Sequence, residues 1–275
     1  MRKHNITFIL GVPNMFRKMY EEKHFAGPHL KNLRLVFCGG DFLPERFVKE
    51  FNKKIAEYGG KGKLFRGYGL TEVGSVCTAN CYGAVREESI GRPLKGMTVE
   101  IWDDMKNRLP AGQNGEIVVK GSTVMQGYIS GDTTVMNDGV YVEKNGDRWV
   151  LTGDLGYMDK DGFVYFTGRK KRMIIISGYN VYPADIENAV LELPFVNEVC
   201  AVQGYHKNRP CVKLCVTLKY PMNHGEAIDT IQSYCKKNLA KISCPRKIEI
   251  FDSLPRTKMA KVDFMALSDK YTPEG

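Results

Sequence analysis

The alternation of apolar and polar positions divides this 275-residue chain into three textures. In the first, LRLVFCGG at 33–40 is a continuous apolar run closed by two glycines, which predicts a buried strand. LPERFVKEFNKKIAEYGG at 43–60 places Phe47, Val48, Phe51 and Ile55 on one helical stripe. Pro44 suits the first turn of that helix and Gly59 its end. KLFRGYG at 63–69 predicts a short second strand. Strand, helix and strand in succession form the unit of a parallel sheet, which binds ligands at the C-terminal ends of its strands. From about 97 to 167 the texture changes to short strands: TVEIW, GEIVVKG, GVYVE, RWVLTG and GFVYFTG. Gly/Asp/Asn turns separate them, with MDKDG at 158–162 as a strong turn signal, so this region is expected to be antiparallel and barrel- or sandwich-like.

After Gly168 the pattern shifts once more. A strand at 173–177 leads to a helix at 183–193 with Pro183 in its first turn. Strands at 196–202 and 211–218, a helix at 226–239 and a strand at 248–251 follow. The expected fold class is therefore mixed α/β and α+β. Residues 1–167 form the later part of a large domain, divided into an α/β sheet portion (1–96) and a barrel-like portion (97–167). Residues 168–275 form a small α+β domain.

Composition narrows the class. With 43% apolar and 26% charged residues the chain reads as an ordinary soluble globular protein of about two domains. No window holds the roughly 18 apolar residues that span a bilayer. The opening MRKHNITFILGVP imitates a signal peptide, but its apolar run is short and no small-residue cleavage site follows, so the expected location is cytoplasmic. The eight cysteines form no C-x-x-C pair and have no histidine at zinc-site spacing, so reduced and mostly buried thiols are expected. The net charge of +9 is uneven: residues 168–275 hold 17 Lys/Arg against 11 Asp/Glu. That bias suggests an anionic partner such as a nucleotide or coenzyme phosphates. Nucleic acid is not expected, because no zinc-finger spacing, aromatic-laced basic stretch or RNA-binding signature occurs.

Four segments offer chemistry. RGYGLTEVGS at 66–75 follows a predicted strand with three glycines that allow close backbone approach, a hydroxyl at Thr71 and a carboxylate at Glu72. It reads equally as a turn. Asp154 in WVLTGDLGYMDKDG could hold a ribose by its two hydroxyls, or could make an Asx-turn. GRKKRMIIIS at 168–177 runs four cations into an apolar strand at a domain boundary. It is either a solvated linker or a hinge that presents cations to an anion. Lys258 and Lys261 in SLPRTKMAKVDF stand in a basic loop before a terminal helix. YGGKGK at 58–63 lacks the spacing of a phosphate loop and reads as a helix cap and turn. Neither a G-x-S-x-G elbow nor an H-E-x-x-H helix is present, which removes motif support for serine hydrolases and zinc proteases.

Taken in order, GYGLTE, TGD, GRKKRMIIISGYNVYPADIEN and LPRTKMAK resemble the adenylate-forming superfamily of acyl- and aryl-CoA ligases, peptide-synthetase adenylation domains and luciferases. The resemblance covers essentially the whole chain, and the wording of GYGLTE and GYNVYPADIE is that of CoA ligases. It implies an ATP-dependent ligase that forms acyl-AMP with Mg2+ and transfers the acyl group to coenzyme A. Gly39, Gly40 and Asp41 would line the adenine pocket, Tyr68 would lie against the base, and Gly69 would be a further nucleotide-binding residue. Thr71 would contact the α-phosphate and Glu72 would bind magnesium. Asp154 would hold the ribose, Arg169 would reach ribose or phosphate, and Lys171 would be the hinge. Gly178 and Tyr179 would face the pantetheine tunnel, and Lys261 would bridge carboxylate and α-phosphate during adenylation.

Two departures from the family pattern stand out. The family's Ser/Thr/Gly-rich phosphate loop ending in Lys-Gly lies upstream of the VPNMF segment, and this chain begins at about that segment. The expectation is a truncated product or excised fragment, with a homodimer or a missing N-terminal half as the partner left open. Ala260 stands where the family usually has glycine before the lysine, which would strain a site needing positive φ. The rival readings are an adenylation module that loads a carrier protein, and a non-catalytic nucleotide- or partner-binding fragment.

Overall fold

The computed structural model describes residues 3–40, 43–80, 83–130, 134–136, 140–258 and 261–269. The chain divides into two compact units, Met1–Phe166 and Thr167–Gly275.

The larger unit opens with β1 (Phe8–Gly11) and α1 (Pro13–Glu21), then β2 (Leu35–Cys38), α2 (Glu45–Glu57), β3 (Lys63–Leu70), β4 (Ser75–Ala79) and β5 (Arg92–Pro93). These strands form one sheet in chain order. The β1–β2 and β2–β3 pairs are parallel, as strand–helix–strand patterning predicts. The β3–β4 and β4–β5 pairs are antiparallel, and Gly74 at φ +74° turns the chain back between β3 and β4. The stripe on α2 buries Val48, Phe51 and Ile55. Phe51 is fully buried and packs edge-on against Phe16 of α1 at 5.7 Å. Burying such a side chain contributes about 1.5–3 kcal/mol. Asn52 accepts the Leu64 N–H at 2.7 Å and so ties the helix to the start of β3. α1 escapes the periodicity reading, although Pro13 sits in its first turn and Phe16 is buried beneath it.

The second texture folds into β6 (Met97–Trp102), β7 (Gly115–Gly121), β10 (Tyr141–Lys144), β11 (Asp147–Met158) and β12 (Val164–Arg169), with a small pair, β8 (Tyr128–Ser130) and β9 (Thr134–Met136), between β7 and β10. The sheet order is β10-β11-β7-β6, with β12 also paired to β11. Its described pairings are antiparallel, as expected. Its core holds Val99, Ile101, Ile117, Val119 and Val150. The MDKDG turn is built by Asp159, whose carboxylate accepts the Asp161 and Phe163 N–H groups, both at 2.9 Å.

The smaller unit contains β13 (Ile174–Ile176), β14 (Tyr179–Val181), α3 (Pro183–Leu191), β15 (Val196–His206), β16 (Arg209–Leu218), α4 (His224–Asn238), β17 (Lys247–Ile250) and α5 (Phe264–Leu267). The sheet is β15-β16-β17, with β15 antiparallel and β17 parallel to β16. The strand expected at 173–177 lies outside that sheet. Ser177 (φ +50°) and Gly178 (φ +82°) fold it into a two-residue hairpin with β14. Two consecutive positive φ values match the right-handed twist of paired strands. Ile174, Ile176 and Val181 of the hairpin still enter the same core as Val212, Leu214 and Ile231. Asn223 caps α4 by accepting the Glu226 N–H at 3.2 Å. Lys213 and Lys247 reach Asp269 at 3.0 and 2.7 Å, which ties the segment after α5 to the sheet. Burial opposes ionisation of Asp269, but the hydrogen bonds from Lys247 and Lys213 outweigh it and hold the carboxyl below its usual range.

Candidate active site

In the larger unit the predicted residues converge at the C-terminal ends of the parallel strands. Gly39 and Gly40 follow β2 directly, and a methyl added to Gly39 would lie 3.8 Å from the Gly67 carbonyl of β3. Asp41 lies outside the described residues. Tyr68 and Gly69 belong to β3 itself, where the ladder to β4 slips by one residue between them. Gly69 has a specific cause: a Cβ there would sit 1.7 Å from the Ser75 carbonyl oxygen. Only glycine lets β4 pass that closely.

Asp154 arrives from 86 residues away and accepts a hydrogen bond from the Tyr68 hydroxyl at 2.7 Å. It too stands at an irregularity, since the β11–β7 register shifts between Leu151 and Leu155. Gly153 takes φ +68° inside that bulge. The bulge is held by side chains: Thr152 Oγ1 donates to the Ile117 carbonyl at 2.6 Å and accepts the Asp154 N–H at 3.0 Å. Glu116 accepts the Gly153 N–H at 3.0 Å. Bulges re-aim a side chain out of the strand's alternation, and two of them here bring a phenol to a carboxylate. Asp154 is only 4% exposed. Burial, and then the charge of Asp154, pushes the Tyr68 phenol well above its ordinary value, so it remains a donor.

Thr71 and Glu72 occupy a 3-10 turn, Thr71–Val73, between β3 and β4. Thr71 is exposed and Glu72 half-buried. The Tyr128 hydroxyl donates to Glu72 Oε1, and that bond, followed by burial, pushes the Tyr128 phenol up to about 12. No cluster of three or more His, Cys, Asp or Glu that could cage a metal occurs among the described residues. One carboxylate beside an exposed hydroxyl fits a magnesium ion that arrives with phosphates, since that ion is usually held by one or two carboxylates plus phosphate oxygens.

The predicted residues of the smaller unit stand on turns. Arg169 ends β12, and Lys171 lies in the 3-10 turn Lys170–Arg172; both are exposed. Gly178 lies in the turn of the β13–β14 hairpin and Tyr179 begins β14 directly after it, 66% exposed. Lys261 is exposed in a loop closed by an Arg256–Val262 bridge, where its carbonyl accepts the Thr257 N–H at 2.8 Å. Ala260 lies outside the described residues.

The basic run at 169–172 is not uniform. Arg172 pairs with Glu187 of α3, donates to the Ala201 carbonyl at 3.3 Å and lies over the Phe264 ring. Glu187 in turn accepts the Ala201 N–H at 2.8 Å. Arg172 is therefore a packing cation of the smaller unit, which sequence reasoning missed. Tyr128 was missed as well; its only local signal is the Gly127-Tyr128 step.

Comparison with known proteins places this geometry. The family "AMP-binding enzyme" matches residues 1–129, and "AMP-binding enzyme C-terminal domain" matches residues 185–261. The chain belongs to the adenylate-forming, AMP-binding superfamily and resembles its acyl-CoA synthetases. A long-chain-fatty-acid–CoA ligase of Escherichia coli O6:H1 is 33% identical over 272 residues, covering 98% of this chain and 46% of that protein. A 2-succinylbenzoate–CoA ligase of Bacillus subtilis is 31% identical over 266 residues, covering 95% of this chain and 50% of that protein. The chain thus spans about half the length of these relatives. Among solved structures, the B. subtilis o-succinylbenzoate CoA synthetase in complex with its acyl-adenylate OSB-AMP superposes with TM-score 0.80 at 29% identity, over 99% of this chain and 53% of that one. The same enzyme with ATP and magnesium gives TM-score 0.79 at 30% identity, over 98% and 52%. Among the described residues no helix is long and apolar enough to cross a membrane.

Proposed function

We propose that this chain carries the nucleotide-holding and adenylation parts of an ATP-dependent acyl-CoA ligase. The reaction joins a carboxylic acid, ATP and coenzyme A into acyl-CoA, AMP and pyrophosphate through an acyl-adenylate. The observation that supports it is the Tyr68–Asp154 bond of 2.7 Å, which unites the GYGLTE and TGD segments at the end of a parallel sheet. A structural relative bound to an acyl-adenylate and the CoA-ligase relatives support the same reading.

In the first half-reaction a carboxylate oxygen attacks the α-phosphorus and pyrophosphate leaves with the P–O bond electrons. The Tyr68 ring and the Gly39-Gly40 backbone would receive the adenine, with Asp41 beside them. Asp154 would accept from the ribose hydroxyls at the edge of its bulge, and Arg169 would reach ribose or phosphate. The Thr71 hydroxyl would donate to the α-phosphate. Glu72 would hold magnesium, which when bound screens the charge of the leaving pyrophosphate. Lys261 would place its ammonium between the carboxylate and the α-phosphate, where two anions must meet; one such donor is worth about 10²–10³ in rate. Lys171 would serve as the pivot between half-reactions, and Gly178 and Tyr179 would line the pantetheine path for attack by the coenzyme A thiol on the acyl carbonyl.

The test is acid-dependent pyrophosphate release with ATP, Mg2+, coenzyme A and a panel of short, medium, long and aromatic acids. Release that requires an acid, and that Lys261→Ala slows by about 10²–10³, is the expected result. Nucleotide binding by folded protein with no acid-dependent release would instead favour the second reading, a nucleotide-binding chain without catalysis.

A further inference from the structure

The turn that presents Thr71 and Glu72 is held by one short segment. Thr123 Oγ1 donates to the Val73 carbonyl at 2.7 Å, and the Met125 N–H donates to the Glu72 carbonyl at 2.9 Å. These two bonds fix the backbone of the turn. The third contact is different in kind, because the Tyr128 hydroxyl donates to the Glu72 carboxylate itself. A second phenol stands in the same neighbourhood: the Tyr141 hydroxyl of β10 is buried, has no hydrogen-bond partner among the described residues and feels the charge of Glu72. Glu72 is thus a half-buried carboxylate whose own oxygen is engaged by a tyrosine hydroxyl, with a second phenol nearby and Arg148 over that phenol's ring at 5.5 Å.

We propose that Tyr128 is a positioning residue that holds the Glu72 carboxylate ready for a divalent cation. It engages Oε1 and leaves Oε2 to the metal. The proposal rests on the reading of Glu72 as the magnesium-holding residue. Its physical basis is pre-organisation. A glutamate free in solution samples several rotamers, and a metal must select one of them. A neutral hydroxyl fixes the rotamer without neutralising the charge, whereas a lysine in its place would compete with the cation. Removing such an outer hydrogen bond from a metal-ligating group typically costs about 10- to 100-fold in metal affinity.

The readout is the metal-dependent gain in nucleotide affinity, measured calorimetrically on the full 275-residue chain as the ratio of the ATP Kd in EDTA to that in saturating Mg2+. Tyr128→Phe, which keeps the ring, is expected to reduce that ratio about tenfold and leave the EDTA value unchanged. Glu72→Gln is expected to bring the ratio to one. A Tyr128→Phe ratio equal to wild type, with the Glu72→Gln ratio lost, overturns the proposal and leaves the Glu72 reading standing. A Tyr128→Phe variant that loses affinity equally in EDTA also overturns it, since the role would then be structural. A Glu72→Gln variant with the wild-type ratio, or a wild-type chain that binds no ATP in either condition, overturns the reading beneath and the proposal with it.

Discussion

The candidate residues of the larger unit and those of the smaller unit are held in opposite ways. In the larger unit Tyr68 and Asp154 meet at two strand irregularities, and Asp154 is only 4% exposed. In the smaller unit Lys261, Gly178 and Tyr179 are exposed on turns. The first arrangement is held by hydrogen bonds and packing, so a change there is felt by the fold. The second depends on turn geometry, so a change there is expected to leave the fold intact. Under the proposed function the first would be a fixed receptor for a nucleoside, and the second would serve the successive half-reactions.

The largest effect separates these roles most cleanly. Lys261→Ala is expected to slow adenylate formation by about 10²–10³ while the melting temperature stays unchanged, read by pyrophosphate release and calorimetry. An equal loss of thioester formation from supplied acyl-AMP would remove the assignment of Lys261 to the first step. Gly69→Ala should do the converse. Its Cβ would fall 1.7 Å from the Ser75 carbonyl, so β3 and β4 must part, at roughly 3 kcal/mol in the denaturant midpoint of the larger unit. Tyr68→Phe is milder. It removes one donor from a buried carboxylate and should cost about 1–3 kcal/mol in the same measurement.

The smallest effect is a dependence on pH. The Tyr68 phenol is raised by burial and by Asp154 above an unfolded value near 10.0. Its contribution is present below that value and is lost as pH rises, because the unfolded chain ionises first. Wild-type stability should therefore fall more steeply above pH ~10 than that of Tyr68→Phe, as followed by thermal melts. Parallel curves would mean that the phenol is not shielded as described.

Much of the fold was legible because burial writes itself into periodicity. The stripe on α2 buries Val48, Phe51 and Ile55, and the alternation after residue 97 gives antiparallel pairs. What stayed hidden was decided by distant partners or by single dihedrals. The reversal after Leu70 depends on Gly74, and TEVGSVCTA carries no pattern that separates a loop from a paired strand. The bulge at 152–154 exists because Glu116 and the Ile117 carbonyl lie opposite it, which no local reading contains. Tyr128 meets Glu72 across 56 residues. Arg172 looked like its three basic neighbours until Glu187 claimed it. The motif residues themselves were legible through family resemblance.

The buried thiols have a practical consequence. Burial pushes Cys77 and Cys200 up to about 12, and Cys215 and Cys235 up to about 11, so these sulfurs are poor nucleophiles at neutral pH while the chain is folded. Cys38 and Cys77 lie in the larger unit, and Cys200, Cys211, Cys215 and Cys235 in the smaller, all of them buried. Alkylation becomes fast only where the chain opens. A short pulse of a thiol reagent followed by mass spectrometry of the peptides would then serve as two independent clocks, one for the opening of each unit, with no label added to the protein.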